Sequence, residues 1–308
     1  MQGQEILSPQ FSPDGQFIVL VTRGYWPDGA DAEGLPDSNF DKLQARAKAD
    51  PRFADPVVQL IALNGKVVCE VKYGWNPSVS PDDRHIVFSE QVKPITGFRE
   101  LASPLAGNGI RMFDCRTKEV TWIADPGEGY LDKPFFSADG STVFYTLNEA
   151  VNGANGGSVG ITGFNLQQKR TAAFVEKQTV PAVPCPPALK CDANLTRSFQ
   201  RIVFQIATAG TDVFALLGTP VPSPGDMYTA RKYNMELVSV LPQRKAALRL
   251  GTRDAQSDDD VVFQPASGER ALIYSKYWQL YSLTGGERLP DPGPENTNPK
   301  SVYSPDLR

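Results

Sequence analysis

Apolar positions come in short runs separated by one recurring polar phrase. Phe17-Ile18-Val19-Leu20, Ile86-Val87-Phe88 and Thr142-Val143-Phe144-Tyr145 are runs of strand formers. Each follows a turn of the same wording: Phe11-Ser12-Pro13-Asp14-Gly15, then Val79-Ser80-Pro81-Asp82, then Phe136-Ser137-Ala138-Asp139-Gly140. Ser first, Pro second and Asp third suit a type I turn, and Gly15 takes the fourth position. The phrase therefore predicts a hairpin: apolar approach, turn, strand.

Further copies are less regular. Thr196 to Arg201 has no Pro or Gly but is followed by Ile202-Val203-Phe204. Val262-Phe263-Gln264-Pro265 precedes Leu272-Ile273-Tyr274, and Val302-Tyr303-Ser304-Pro305-Asp306 ends almost at once. A second hairpin lies between successive turns. Leu60 to Leu63 turns at Asn64-Gly65 into Lys66-Val67-Val68, the strongest short hairpin signal in the chain. Ile110–Phe113 with Lys118–Trp122, Ile161–Phe164 with Arg170–Phe174, Leu237–Val240 with Lys245–Arg249, and Leu280–Leu283 with Glu287–Leu289 repeat the arrangement. Two hairpins per unit make a four-stranded antiparallel blade. The expected fold is all-β: a single β-propeller domain over residues 1–308 with five complete blades, or six as the alternative. The expected blades cover residues 8–74, 75–126, 132–177, 178–252 and 258–290, and residues 299–308 supply a closing strand.

The wording Pro-x-Phe-Ser-Pro-Asp-Gly followed by Ile-Val resembles the repeat of TolB-type β-propellers, which also occurs in the propeller domains of prolyl-oligopeptidase-like enzymes. The resemblance is carried most strongly by the first three units. It implies a fold, and that repeat serves many functions. TolB proteins carry an additional N-terminal α/β domain and take part in periplasmic assembly with a lipoprotein partner, whereas this chain starts directly in a blade.

Composition narrows the partners. A net charge of −4 and the lack of a basic run argue against nucleic acid. No apolar run approaches the ~18 residues of a membrane span. The start Met1-Gln2-Gly3 resembles a trimmed and re-started N-terminus more than a charged signal-peptide n-region, a cytosolic start would read the same way, and the expected location is periplasmic or secreted. Cys185 and Cys191 bracket Pro-Pro-Ala-Leu-Lys at a spacing a disulfide can close. Cys69 and Cys115 fall in or beside strand patterns and read as small core residues.

Long connections leave the units between second and third strands, at residues 23–56, 89–108, 147–158, 208–232 and 275–279. In a four-stranded blade these all emerge opposite the Ser-Pro-Asp-Gly turns, and loops on a rigid scaffold are where binding usually resides. Trp26, Asp28, Arg99 and Trp278 are the expected ligand-binding residues, with Tyr25 and Tyr277 beside them. In the first loop, residues 41–48 are rich in helix formers. Its Asp28, Asp31 and Glu33 offer oxygen ligands for Ca²⁺ but lack the EF-hand spacing, so a solvated acidic loop is the simpler reading and no cofactor is expected.

Catalytic constellations are sparse. His85 is the one histidine, at a turn edge, which excludes a multi-histidine metal site. Gly156-Gly157-Ser158-Val159-Gly160 has the letters of a nucleophile elbow in an Asn/Gly-rich context with no histidine after it. Two classes remain. One is a monomeric, non-catalytic binding or scaffold propeller that engages a protein, peptide or glycan. The other is a hydrolase or lyase using carboxylates such as Asp28, Glu90 or Glu149 at the channel mouth, or the propeller part of a peptidase.

Overall fold

The Ser-Pro-Asp phrase closes its hairpin by one set of hydrogen bonds. At the first copy the Gly15 N–H donates to the Ser12 carbonyl, and the Ser12 N–H to the Phe17 carbonyl, both at 2.9 Å. The Ser12 hydroxyl donates to Asp14 Oδ1 at 2.7 Å and accepts from the Phe17 N–H at 3.0 Å. The second copy repeats this: the Asp83 N–H reaches the Ser80 carbonyl at 3.0 Å, and the His85 N–H reaches Ser80 Oγ at 2.9 Å. In the third, Ser137 donates to Asp139 at 2.6 Å. The fourth residue of each turn is left-handed, with φ of 72° at Gly15, 53° at Asp83 and 71° at Gly140. Glycine takes that conformation freely, and Asp is among the few other residues that tolerate it.

The computed structural model describes residues 4–24, 56–91, 108–125, 130–149, 157–181, 199–209, 212–222, 232–241, 247–254, 262–266, 270–274, 278–283 and 287–290. Strands β1 (Gln4–Phe11), β2 (Phe17–Gly24), β3 (Val57–Ala62) and β4 (Val67–Lys72) form the first sheet, in chain order. The second holds β5 (Gly74–Val79), β6 (His85–Gln91), β7 (Asn108–Asp114) and β8 (Val120–Ala124). In the third, β9 (Tyr130–Phe136), β10 (Thr142–Glu149), β11 (Gly157–Asn165) and β12 (Arg170–Val175) are again neighbours in sequence order. A two-stranded ribbon follows, β13 (Thr179–Val180) with β14 (Phe199–Gln200). The next four-stranded sheet is β15 (Ile202–Ala209), β16 (Asp212–Pro220), β17 (Lys232–Ser239) and β18 (Ala247–Asp254). Strands β19 (Val262–Ala266), β20 (Arg270–Tyr274) and β21 (Trp278–Ser282) make a three-stranded sheet, extended by a bridge from Tyr281 to Arg288. No helix occurs among the described residues.

The chain divides into two compact units, the first built on residues 1–136 and the second on residues 171–308, with 137–170 apportioned between them. In the first unit, Val19, Val21, Val58, Leu60 and Cys69 of the first sheet share a core with Val79, Ile86, Phe88 and Phe113 of the second. The packing is close: a Cβ at Gly74 would sit 2.6 Å from Val58 and 2.8 Å from the Phe88 ring, so only glycine fits there. In the second unit, Phe204, Phe214, Leu216, Tyr233, Met235, Leu237 and Leu248 form the core, with Phe204 and Tyr233 edge-to-face at 5.5 Å.

Two readings of the sequence need correction. Cys69 and Cys115 are not free core thiols: they form a disulfide with Cα atoms 5.5 Å apart, tying β4 to the turn after β7. Strand patterning at each position hid a partner 46 residues away. Secondly, residues 196–201 do not form the first turn of the fourth large sheet. That turn lies between Ala209 and Asp212, which pair directly, and Ile202–Ala209 is the first strand rather than the second. Residues 212–220, expected within a long connection, are the second strand and nearly wholly buried; the connection shrinks to residues 221–231. Val213-Phe-Ala-Leu-Leu217 is a continuous apolar run buried on both faces, as Ile86-Val-Phe88 is, but no Ser-Pro-Asp phrase precedes it. The hairpin expected at Asn64-Gly65 forms between β3 and β4, with a three-residue loop. The Ala62 N–H pairs with the Lys66 carbonyl, and Gly65 takes φ 84°, a type I turn with a glycine bulge. Cys185, Cys191, residues 41–48 and residues 299–308 lie outside the described residues.

Candidate functional site

In each four-stranded sheet the connection between second and third strands leaves the end opposite the first turn. Residues 25–56, 92–107, 150–156 and 221–231 occupy those positions. Of the expected site residues, Trp26, Asp28 and Arg99 lie outside the described residues, as do Asp31 and Glu33. Trp278 opens β21, its backbone paired with Tyr274, and its side chain is likewise not described. The structure therefore does not bring these four together or hold them apart.

Described residues near the same ends of the first unit's sheets form two clusters. In the first, the Asn76 side-chain N–H donates to Asp132 Oδ1 at 2.8 Å and the Ser89 hydroxyl to the same oxygen at 2.7 Å. Asp132 is 3% exposed, and it joins β9 to both β5 and β6. A bulge aims Asn76: the register of β5 against β6 slips between Trp75 and Ser78, and Asn76 takes φ 45°. Lys133, which like Asn76 precedes a proline, takes φ 47°. Proline disfavours the right-handed α region for the residue before it, and here both residues go left-handed instead. A carboxylate so supplied with donors is a pin between sheets.

The second cluster is Glu90, Arg111 and Trp122. Arg111 on β7 sits opposite Phe88 on β6 and Trp122 on β8, so its guanidinium stands between the neighbouring strands. It forms an ion pair with Glu90 through Nε, and its Cζ lies 3.9 Å from the centre of the Trp122 ring. Burial pushes the Glu90 carboxyl up, against the opposing pull of Arg111. Trp122 stays 44% exposed. A guanidinium stacked on a solvent-facing indole is a rigid platform able to take a flat ring or a sugar face. Cross-strand spacing makes the trio, so nothing in the local sequence around Glu90 announces Arg111 or Trp122.

The catalytic candidates resolve differently. Glu90 is held in the ion pair, and Asp28 and the Glu149 side chain are outside the described residues. Ser158 lies within strand β11, not on a strand-to-helix elbow, which removes the nucleophile reading. His85 is at the opposite end, on the Ser-Pro-Asp side, 24% exposed between Asp82 at 3.5 Å and Asp114 at 3.7 Å. Arg84 anchors Asp114 at 2.5 Å and holds its carboxyl well below the usual carboxylate range.

No family model and no curated protein matches the sequence. Solved structures do. TolB from Acinetobacter baumannii is 14% identical, with a TM-score of 0.47 over 92% of this chain and 53% of its own. The β-propeller domain of the Trilobed protease from Pyrococcus furiosus is 10% identical, with a TM-score of 0.49 over 94% and 71%. The Pyrococcus horikoshii acylaminoacyl peptidase is 10% identical, with a TM-score of 0.51 over 93% of this chain and 39% of that one. The chain thus spans about half of TolB and well under half of the peptidase. At such identities the likeness speaks for fold alone, and the fold is a β-propeller built from four-stranded antiparallel sheets.

Proposed function

We propose that this chain is a non-catalytic binding propeller acting outside the cytoplasm, engaging a protein, peptide or glycan through its long-loop face. The observation that carries the reading is the inequality between the two ends of the first two sheets. One end is closed by short turns whose polar atoms bond one another, at Ser12–Phe17 and Ser80–His85. From the other leave residues 25–56 and 92–107. Ordering each loop residue costs ~1–2 kcal/mol, so long insertions gathered on one side suggest a use. The expected contacts are Trp26, Asp28, Arg99 and Trp278, and within the first unit the Arg111–Trp122 stack offers an exposed ring of its own. The Cys69–Cys115 disulfide supports an oxidising compartment. No cofactor is required: adding calcium to the chelated protein should leave the thermal midpoint unmoved, and a rise would put the ion in the acidic loop.

Replacing residues 25–54 by a short Gly-Ser linker tests the reading on arrays of peptides and glycans. Loss of retained ligands at an unchanged thermal midpoint is the expected result. Full retention with a large fall in midpoint would make the loop structural and remove the site. A second reading is favoured by the peptidase comparisons at TM-scores of 0.50 and 0.51: the chain is the propeller part of a longer peptidase. On that reading the long-loop face would govern access to a catalytic domain. Peptide hydrolysis by the native protein, abolished by a serine-directed inhibitor, would establish it.

A further inference from the structure

A row of side chains crosses the second sheet from core to water. Phe88, Arg111 and Trp122 stand directly opposite one another on β6, β7 and β8, and so share one face. Phe88 is 1% exposed, the Arg111 side chain 25% and Trp122 44%. The guanidinium covers the face of the indole that looks back toward β7. Because β8 is the edge of its sheet, no strand of that sheet covers the other face. Arg111 is answered by Glu90, so the pair brings no net charge to the ring. Val120, two residues back on the same side of β8, is 43% exposed and extends the apolar floor. The backbone beside the ring supplies polar groups. The Asp114 N–H donates to the Glu119 carbonyl at 2.9 Å, which sets the phase of the β7–β8 ladder. Backbone bonds then recur at Met112 with Thr121, while Val120 and Trp122 turn their N–H and C=O groups to the open edge. The register shift between Ile110 and Arg111 ends that phase after Trp122. Two outward-facing residues span only ~7 Å of strand. Short edges and bulges discourage an added peptide strand, and this length matches a single sugar ring better.

We infer that Trp122 and the β8 edge bind an uncharged, gluco-configured pyranose of a β-linked glycan. In that configuration every ring substituent is equatorial, so axial C–H groups cover both faces and hydroxyls line the rim. One C–H face lies on the open face of the indole. The rim hydroxyls, each donor and acceptor, meet the outward N–H and C=O groups of Val120 and Trp122. The guanidinium behind the ring holds it in place, so little side-chain freedom is lost on binding. With Arg111 already paired, the site has no unmatched charge to recruit an acidic sugar. The inference rests on the binding-propeller reading above and adds to it a ligand class and a contact.

The test labels the full chain with 5-fluorotryptophan, and Trp122→Phe identifies the Trp122 line among the four in the fluorine spectrum. Rising cellotetraose should shift that line saturably and move the other three by less than a fifth as much. In calorimetry Trp122→Ala should weaken cellotetraose binding at least tenfold. Val120→Pro removes one outward N–H and no ladder bond, so it should keep the fold by circular dichroism and weaken binding at least threefold. The protein with residues 25–54 replaced should keep the Trp122 titration, so the loop reading and this one fail separately. An unmoved Trp122 line at millimolar cellotetraose would overturn the inference. So would a line moved by an acetylated Val-Thr-Val-Thr-Val peptide and not by the sugar, or unchanged affinity in either folded variant.

Discussion

Asp83 occupies a place that the other two described turns give to glycine. Burial, then the neighbouring Asp14 carboxyl, pushes its carboxyl from 3.8 to about 6. A carboxyl raised on folding contributes its stability fully below the unfolded value and loses it as pH rises through the folded one. The chain should therefore lose stability from this group between about pH 4 and pH 6. The shift corresponds to about 3 kcal/mol at most, and partial exposure brings this nearer 1 kcal/mol. Asp83→Gly should thus stabilise the protein by about 1–2 kcal/mol at pH 8, adding backbone relief to lost repulsion, and by clearly less at pH 4. Urea unfolding at the two pH values measures it; an equal effect at both would assign the change to backbone alone. Asp132→Ala should act the other way. It strands the Asn76 and Ser89 donors and should cost about 2–3 kcal/mol in the same assay. Trp122→Ala removes an exposed ring, so the expected pattern is a stability change under about 1 kcal/mol with weakened binding on the arrays.

Between elements, the bond from β4 to the turn after β7 holds two sheets whose shared core already packs tightly. Closing a loop of 46 residues restricts the unfolded chain by about 4 kcal/mol. The double variant Cys69→Ser, Cys115→Ser should fall by roughly that amount in denaturant midpoint analysis, and an unchanged midpoint would make the bond incidental. At this scale the sequence is readable where a polar turn phrase announces a strand. Phe17 to Leu20 and Ile86 to Phe88 announce themselves because polar turns flank them. Asp212 to Pro220 does not, since the short turn before it carries no proline and repeats none of the turn phrase. The Cys69–Cys115 pairing was not legible either, because it depends on which sheets become neighbours and no local pattern records that.

For the whole molecule, repetition was the readable property: three wordings of one turn fold alike and repeat one hairpin. The candidate site was less so. Asn76 stands just before the proline that opens the repeated wording but is not itself repeated, and Arg111 and Trp122 meet only through register across three strands. All four cysteines should resist alkylation in the folded, unreduced protein if Cys185 and Cys191 pair as expected. Two added labels, located at those positions by mass spectrometry, would reject that pairing and leave the Cys69–Cys115 bond untouched. That bond also changes what a broken backbone means. It encloses the 92–107 connection, so a single tryptic cut after Arg99 would leave both pieces joined through sulfur. Such a clipped protein would run as one species on a gel without reductant and separate into two once reduced. Covalent continuity through this part of the chain thus has two routes, and the peptide backbone is only one of them.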